Sequence, residues 1–358
     1  MNSQPPLGAH TGAEIQSQPE RWQQSLDHFA AGGEARRIAR ALPGHRDWLF
    51  VGCGSSYYLA QTAAACWRAM TGLGARAVPA SELLLFPQLA WNRQAPCQPV
   101  LISRSGTTSE VLRVADFLDA ERQPFLAVTC TPGEALERRA AASLRPAAAA
   151  EASTVMTLSF TSMLLAVQYL AAEIAGDEAA AEALRRMPRQ ARAFVDQSRD
   201  AVEALVTAHD FADYVWLGQG PYHGLANEGA LKVQEMSCSY SQSFHTLEFR
   251  HGPKSIVAPE TLVLFQVSAA GAEQEGAVVE EVKGLGGTTA VVTGRAGGGL
   301  RRAADLCLQC GADGGDLAWL APRLVPAQWL GLFTGRKKGL DSDHPRHLNR
   351  VVLLPEGA

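Results

Sequence analysis

The sequence predicts an α/β protein of two tandem, doubly wound parallel sheets, each in a flavodoxin-like three-layer αβα unit. Three observations carry this reading. Short apolar runs alternate with longer amphipathic stretches, the pattern of strand, crossover helix and strand. The runs end in turns of Gly and small residues, as at Gly52-Cys53-Gly54 and Gly218-Gln219-Gly220. The order then recurs: Gly52 and Gly218 lie 166 residues apart, and Ile102 and Phe265 lie 163 apart, which reads as duplication of one unit. The chain has 358 residues, 47% of them hydrophobic. That is ample for two cores, since single cores stop growing near roughly 250–300 residues. The expected domains are residues 19–183 and 184–358.

Taken in order, residues 1–18 read as a loose or partner-wrapping arm and residues 19–41 as a helix. Residues 48–51 are a strand, followed by Gly52-Cys53-Gly54-Ser55-Ser56 and a helix over 57–70. Residues 100–102 form a second strand, ending in Ser103-Arg104-Ser105-Gly106-Thr107-Thr108, with its helix over 109–120. Residues 125–128 are a third strand. An Ala-rich, mostly helical stretch, 140–183, leads to a further helix over 184–207. The second round has strands at 214–217, 262–265 and 290–292, with helices over 227–236 and 270–282. Residues 237–243 are polar and without period, so they read as a loop leaving the helix.

Bulk properties narrow the function classes. The net charge is −4 and the pI about 6.2, so nothing suggests a nucleic-acid partner. Residues 1–11 lack the basic-then-apolar pattern of a leader. The longest apolar stretch, 160–174, is short for a membrane span and contains Glu173, so no membrane partner is expected. The seven cysteines are scattered through apolar runs, as suits reduced thiols in a cytoplasm. Cys307 and Cys310 form a lone C-x-x-C with no second pair and no His cluster, so no metal is expected.

Chemistry concentrates at two places. Ligands of parallel α/β sheets sit at the carboxyl ends of strands, where helix N-termini offer free N–H groups to anions. Two such turns carry six hydroxyls: Ser55, Ser56, Ser103, Ser105, Thr107 and Thr108. Helix capping would use one per turn. The matching second-round turns, Gly218-Gln219-Gly220-Pro221 and Gln266-Val267-Ser268-Ala269, are nearly stripped of hydroxyls. The surplus points to a phosphate. No Gly-Lys-Ser/Thr follows, and Gly52-Cys53-Gly54 lacks the third glycine of a dinucleotide fingerprint, so a phosphomonoester fits better than a nucleotide, and no cofactor is expected.

The second place is a helix and the turn beyond it. Glu228, Lys232 and Glu235 stand at i, i+4 and i+7 and share one helix face. A solvated ion-pair face would look the same. Against that, the helix starts just after a strand end, where sites lie. His251 follows, before the Gly252-Pro253 turn.

Together these segments resemble the sugar-isomerase (SIS) family and the isomerase half of glucosamine-6-phosphate synthase. The matching stretches are Cys53 to Tyr57, Ser103 to Thr108, Glu151 to Thr161, Glu228 to Lys232 with Glu235, Glu248 to Pro253, and Lys338 to Arg346. The resemblance implies that Ser55, Ser56, Ser103, Ser105 and Thr108 bind the sugar phosphate, with Arg104, Thr154 and Met156 also at the substrate. It implies that Glu235 moves a proton between C1 and C2, with Lys232 as helper, His251 opening the ring, Lys338 at the sugar and Glu228 orienting the site. It further implies a homodimer whose sites borrow His251 across the interface. The synthase has Gln at Arg104, and Ser and Lys at Met156 and Leu158. It also hydrolyses glutamine with an N-terminal Cys, whereas this chain starts Met1-Asn2-Ser3. The stretch from Glu248 to Lys254 looks closer to amino-sugar-phosphate deaminases and tagatose-6-phosphate ketose/aldose isomerases. The expectation is an aldose–ketose isomerase or isomerising deaminase on a hexose or hexosamine 6-phosphate. The alternatives are a deglycase acting on a sugar-phosphate amine adduct and a non-catalytic sugar-phosphate sensor.

Overall fold

The computed structural model describes residues 6–42, 47–92, 94–95, 97–311 and 315–355. The chain divides into two compact units. The first comprises Glu20–Ala150, Leu158–Arg185 and Asn349–Ala358; the second comprises Met1–Pro19, Glu151–Thr157 and Arg186–Leu348.

The first unit holds strands β1 (Asp47–Gly52), β2 (Gly74–Pro79), β3 (Gln98–Ile102), β4 (Leu126–Val128) and β5 (Ala142–Leu144). All pair parallel, in the order β2-β1-β3-β4-β5. Central β3 is buried at all five positions, and after Gln98 its sequence is apolar. One face packs Leu49, Val51 and Leu101 against Val111, Val114 and Leu118 of helix Ser109–Ala120. That helix has the expected bounds.

The second unit holds β6 (Asp213–Gly218), β7 (Tyr240–His245), β8 (Thr261–Val267), β9 (Thr288–Thr293) and β10 (Leu306–Gln309). They too are all parallel, in the order β10-β9-β8-β6-β7. Read from β7 this is the strand order of the first unit. The two first turns also share one backbone geometry: Gly54 has φ 53 and ψ −127, and Gly220 has φ 56 and ψ −127. A side chain there would be strained, which explains the paired glycines.

Several expectations need correction. Residues 237–243 are not a loop: the chain turns at Cys238 and becomes β7, level with β6 from Asp213↔Tyr240 to Gly218↔His245. It is an edge strand, two of whose polar side chains are partnered, Ser243 donating to Asn227 at 2.6 Å and Gln242 to the Tyr240 hydroxyl at 2.6 Å. An apolar run was therefore never required. Edge strands β2, β5 and β10 escape notice for the same reason of partial burial. The stretch 140–183 begins with β5 and an irregular segment before helix Leu158–Ala175. Residues 19–41 are two helices, Gln18–Gly32 and Glu34–Ala41, separated at Gly33 with φ 61.

Of the expected amino-terminal arm, residues 1–5 lie outside the described residues, and the rest is not loose. Ala9–Gln16 is a helix with Thr11 and Ile15 buried. Thr11 donates to Asp343 through its backbone N–H at 2.7 Å and its hydroxyl at 2.6 Å. Helix Leu158–Ala175 is longer and more apolar than expected: by length and composition it could cross a membrane, yet 83% of it is buried inside its unit. All seven cysteines are free.

Candidate active site

In the first unit β1 and β3 are neighbours at the centre of the sheet, and the crossovers leave them in opposite directions. That is the topological switch point where such sheets bind ligands. Ser55 and Ser56 start helix Ser55–Thr71 after β1 and are buried. After β3 the hydroxyls of Ser103, Ser105 and Thr108 converge. Ser103 lies 2.9 Å from Thr108 and 3.5 Å from Ser105, oxygen to oxygen. Thr107 donates to Ser105 at 3.1 Å, and Gly106 N–H donates to the Ser103 hydroxyl at 3.1 Å. The partners in these bonds are hydroxyls and a backbone N–H, and hydroxyl protons rotate freely toward an oxyanion. Gly106 is required here: φ is 69, and a Cβ would come within 2.9 Å of Glu134. Arg104 is buried and donates to the Arg350 carbonyl at 2.9 Å.

The matching turn of the second unit is filled from within. Ser268 corresponds to Ser103, since Gly271 N–H donates to its hydroxyl at 2.9 Å as Gly106 N–H does to Ser103. Its own N–H and hydroxyl donate to the buried carboxylate of Glu275, at 2.7 and 3.0 Å. Gly271 makes room, because a Cβ there would lie 2.7 Å from that carboxylate. Beside it Arg323, fully buried, donates to the Val267 carbonyl and to Asp316 and lies 4.5 Å from the Tyr222 ring centre. An internal carboxylate thus takes the donors that a phosphate would take.

Helix Pro221–Ser237 carries Glu228, Lys232 and Glu235. The Lys232 ammonium lies 3.2 Å from Glu228 and is hydrogen-bonded to Glu235. Side chains of Glu228 and Lys232 are wholly buried, while Glu235 is 18% exposed. Burial works against the Lys232 charge, but the two carboxylates outweigh it and hold its pKa above the ordinary lysine value. This is a buried charged row with one accessible carboxylate end. The backbone of helix Leu320–Lys337 presses against it: a Cβ at Gly331 would lie 2.8 Å from the Lys232 carbonyl, and at Gly335 2.3 Å from that of Met236. Lys338, just past that helix, donates to the Ser239 hydroxyl at 2.6 Å, which places it by the end of the helix bearing Glu235. Ser239 went unremarked in the sequence because the stretch around it read as loop.

One placement differs from expectation. Glu235 is not at the strand end where its helix begins. The helix runs 17 residues back, so Glu235 and Lys338 lie by the amino ends of β6 and β7. His251 lies six residues beyond β7, after the 3₁₀ turn Glu248–Arg250 at the carboxyl ends, and is exposed. Arg250 and Lys254 on either side are both paired with Glu281. Thr154 and Met156 are in the irregular segment Glu151–Thr157 of the second unit. Among the described residues no group of three or more His, Cys, Asp or Glu could hold a metal.

Two parallel five-stranded sheets of 2-1-3-4-5 order, with hydroxyl turns at one switch point, define a doubly wound class of α/β protein. The chain belongs to the SIS-domain family, whose model matches residues 45–173. A solved glucosamine-6-phosphate deaminase from Thermotoga maritima is 30% identical, with a TM-score of 0.82 over 96% of this chain and 100% of that one. A tagatose-6-phosphate ketose/aldose isomerase from Escherichia coli, 23% identical, shares the fold with a TM-score of 0.85 over the full length of both chains. A D-galactosamine-6-phosphate deaminase of Escherichia coli O157:H7 is 28% identical over 73% of this chain and 71% of that protein. The glutamine–fructose-6-phosphate aminotransferase of Methanothermobacter thermautotrophicus is 25% identical over 93% of this chain, which spans only 54% of that protein.

Proposed function

We propose that the chain is a phosphosugar isomerase or isomerising deaminase acting on a hexose or hexosamine 6-phosphate, without glutamine hydrolysis. The observation that carries this is the charged row ending in Glu235. Binding alone needs no buried ammonium between two carboxylates, and burying such a row is costly. A 1,2-proton shift needs a partly accessible carboxylate of this kind. In this reading the Ser103–Thr108 turn, with Ser55 and Ser56, grips the phosphate, and Glu235 carries the proton between C1 and C2. Lys232 holds the Glu235 carboxylate in place, Glu228 orients Lys232, and Lys338 meets the sugar. The relatives named as deaminases and isomerases of sugar 6-phosphates support the same reaction class.

The working form in this proposal is a homodimer with shared sites. Support comes from β7. Six residues at about 3.3 Å each span about 20 Å, separating the helix end with Glu235 from the turn with His251. This separation supports a site in which a second copy supplies His251 for ring opening. Seven free thiols fit a reducing compartment such as the cytoplasm. Glucose-, galactose-, glucosamine-, galactosamine- and fructose-6-phosphate, assayed for both ketose and ammonia, test the proposal. Turnover with one of these products is expected; tight binding of a 6-phosphate with neither product would make the chain a sensor.

A further inference from the structure

The segment Thr154 and Met156 occupy has no regular structure of its own, so its backbone N–H groups need other partners: Thr157 N–H finds Glu151 within the segment at 2.7 Å, while Ala152 and Ser153 take theirs from outside it. Glu14, on helix Ala9–Gln16, supplies them. Its carboxylate accepts from the N–H of Ala152, from the N–H of Ser153 at 3.2 Å and from the Ser153 hydroxyl. Ser153 and Val155 are buried, while Thr154 and Met156 between and after them are half-buried. The grip on 152–153 therefore decides how far 154 and 156 project. The same helix holds a second stretch. Gly8 N–H donates to Asp341 at 2.8 Å, and His10 and Thr11 N–H donate to Asp343 at 2.9 and 2.7 Å. The two stretches meet where Thr154 N–H reaches the Asp343 carbonyl at 3.4 Å. Burial, foremost, raises the Glu14 pKa, and Glu151 nearby adds to it, so this carboxylate is kept where its solvation is poor.

We propose that Glu14 is a positioning residue for the substrate site, clamping residues 151–157 so that Thr154 and Met156 present to the sugar. The inference rests on the isomerase/deaminase reading above. Glu14→Gln places an amide against three donors, and its expected effect is on ground-state fit: KM for the accepted 6-phosphate rises about tenfold while kcat stays within about twofold. Amide hydrogen exchange at 152–155 accelerates in the same variant. Ser153→Ala, which removes one donor only, moves both readouts the same way by less, and keeps the test open if Glu14→Gln folds poorly. Unchanged exchange at 152–155 overturns the clamp. Faster exchange with unchanged KM overturns the positioning role. If the wild-type chain turns over no 6-phosphate, the functional reading fails separately; binding of the same sugars by calorimetry then replaces KM, and an affinity unmoved by Glu14→Gln overturns the proposal.

Discussion

At the scale of single residues, the first unit offers hydroxyls that can reorient, and the second a buried charge row that cannot. Ser103 and Thr108 are expected to contribute hydrogen bonds to a charged group, so the Ser103→Ala, Thr108→Ala double variant should weaken sugar-phosphate binding by about 1–3 kcal/mol, read by calorimetry. Lys232 is a poor probe of the row, because removing it strands two carboxylates at a cost of about 3–5 kcal/mol. Glu235→Gln keeps size and removes basicity. Turnover should fall roughly 10²–10⁴-fold with binding kept, and exchange of solvent deuterium into C1 or C2 should fall with it. The grouping of Glu228, Lys232 and Glu235 is legible from helical spacing alone. Glu14 and Ser239 are not, because Glu14 finds its partners 138 residues away and Ser239 99 residues away. A local sequence window holds no trace of such pairs.

At the scale of elements, central strands and the helices after them were readable, and edge strands were not. A strand buried on both faces is mostly apolar, whereas β7 is only partly buried and can be largely polar. Its last residue, His245, stacks on His223 of the preceding helix Pro221–Ser237, with ring centres 3.7 Å apart and planes 17° from parallel. Burial, with a smaller push from His245, lowers the His223 pKa from about 6.5 to about 4. Between those values the unfolded chain binds the proton that the folded chain refuses, so stability is lost as pH falls from 6.5 toward 4. Allowing for partial exposure, the loss is about 1–3 kcal/mol. His223→Phe keeps a ring in the stack and removes the titration. Urea midpoints measured from pH 7.5 to 4.5 should then fall less steeply than in the wild type.

At the scale of the whole molecule, the strand order bears on the proposed dimer. Glu235 and His251 stand at opposite ends of one sheet, a separation hidden in the sequence by their being only sixteen residues apart. The expected loop between them is replaced by strand β7, and its length is what supports the proposed shared site. Inactive Glu235→Gln and inactive His251→Ala chains, unfolded, mixed and refolded together, should regain activity, up to about half per mixed dimer, because both defects fall in one site and leave the other whole. Either variant refolded alone should stay inactive, and a mixture that recovers nothing would return His251 to its own chain.

Glu275 bears on counting. Two sheets of one order offer two switch points, and a titration could be read as two equal affinities per chain. The second switch point already carries an anion, covalently tethered and so present at an effective concentration no dissolved phosphate matches. Saturation with a sugar 6-phosphate is therefore expected at one equivalent per chain, with no second, weaker step at higher ligand.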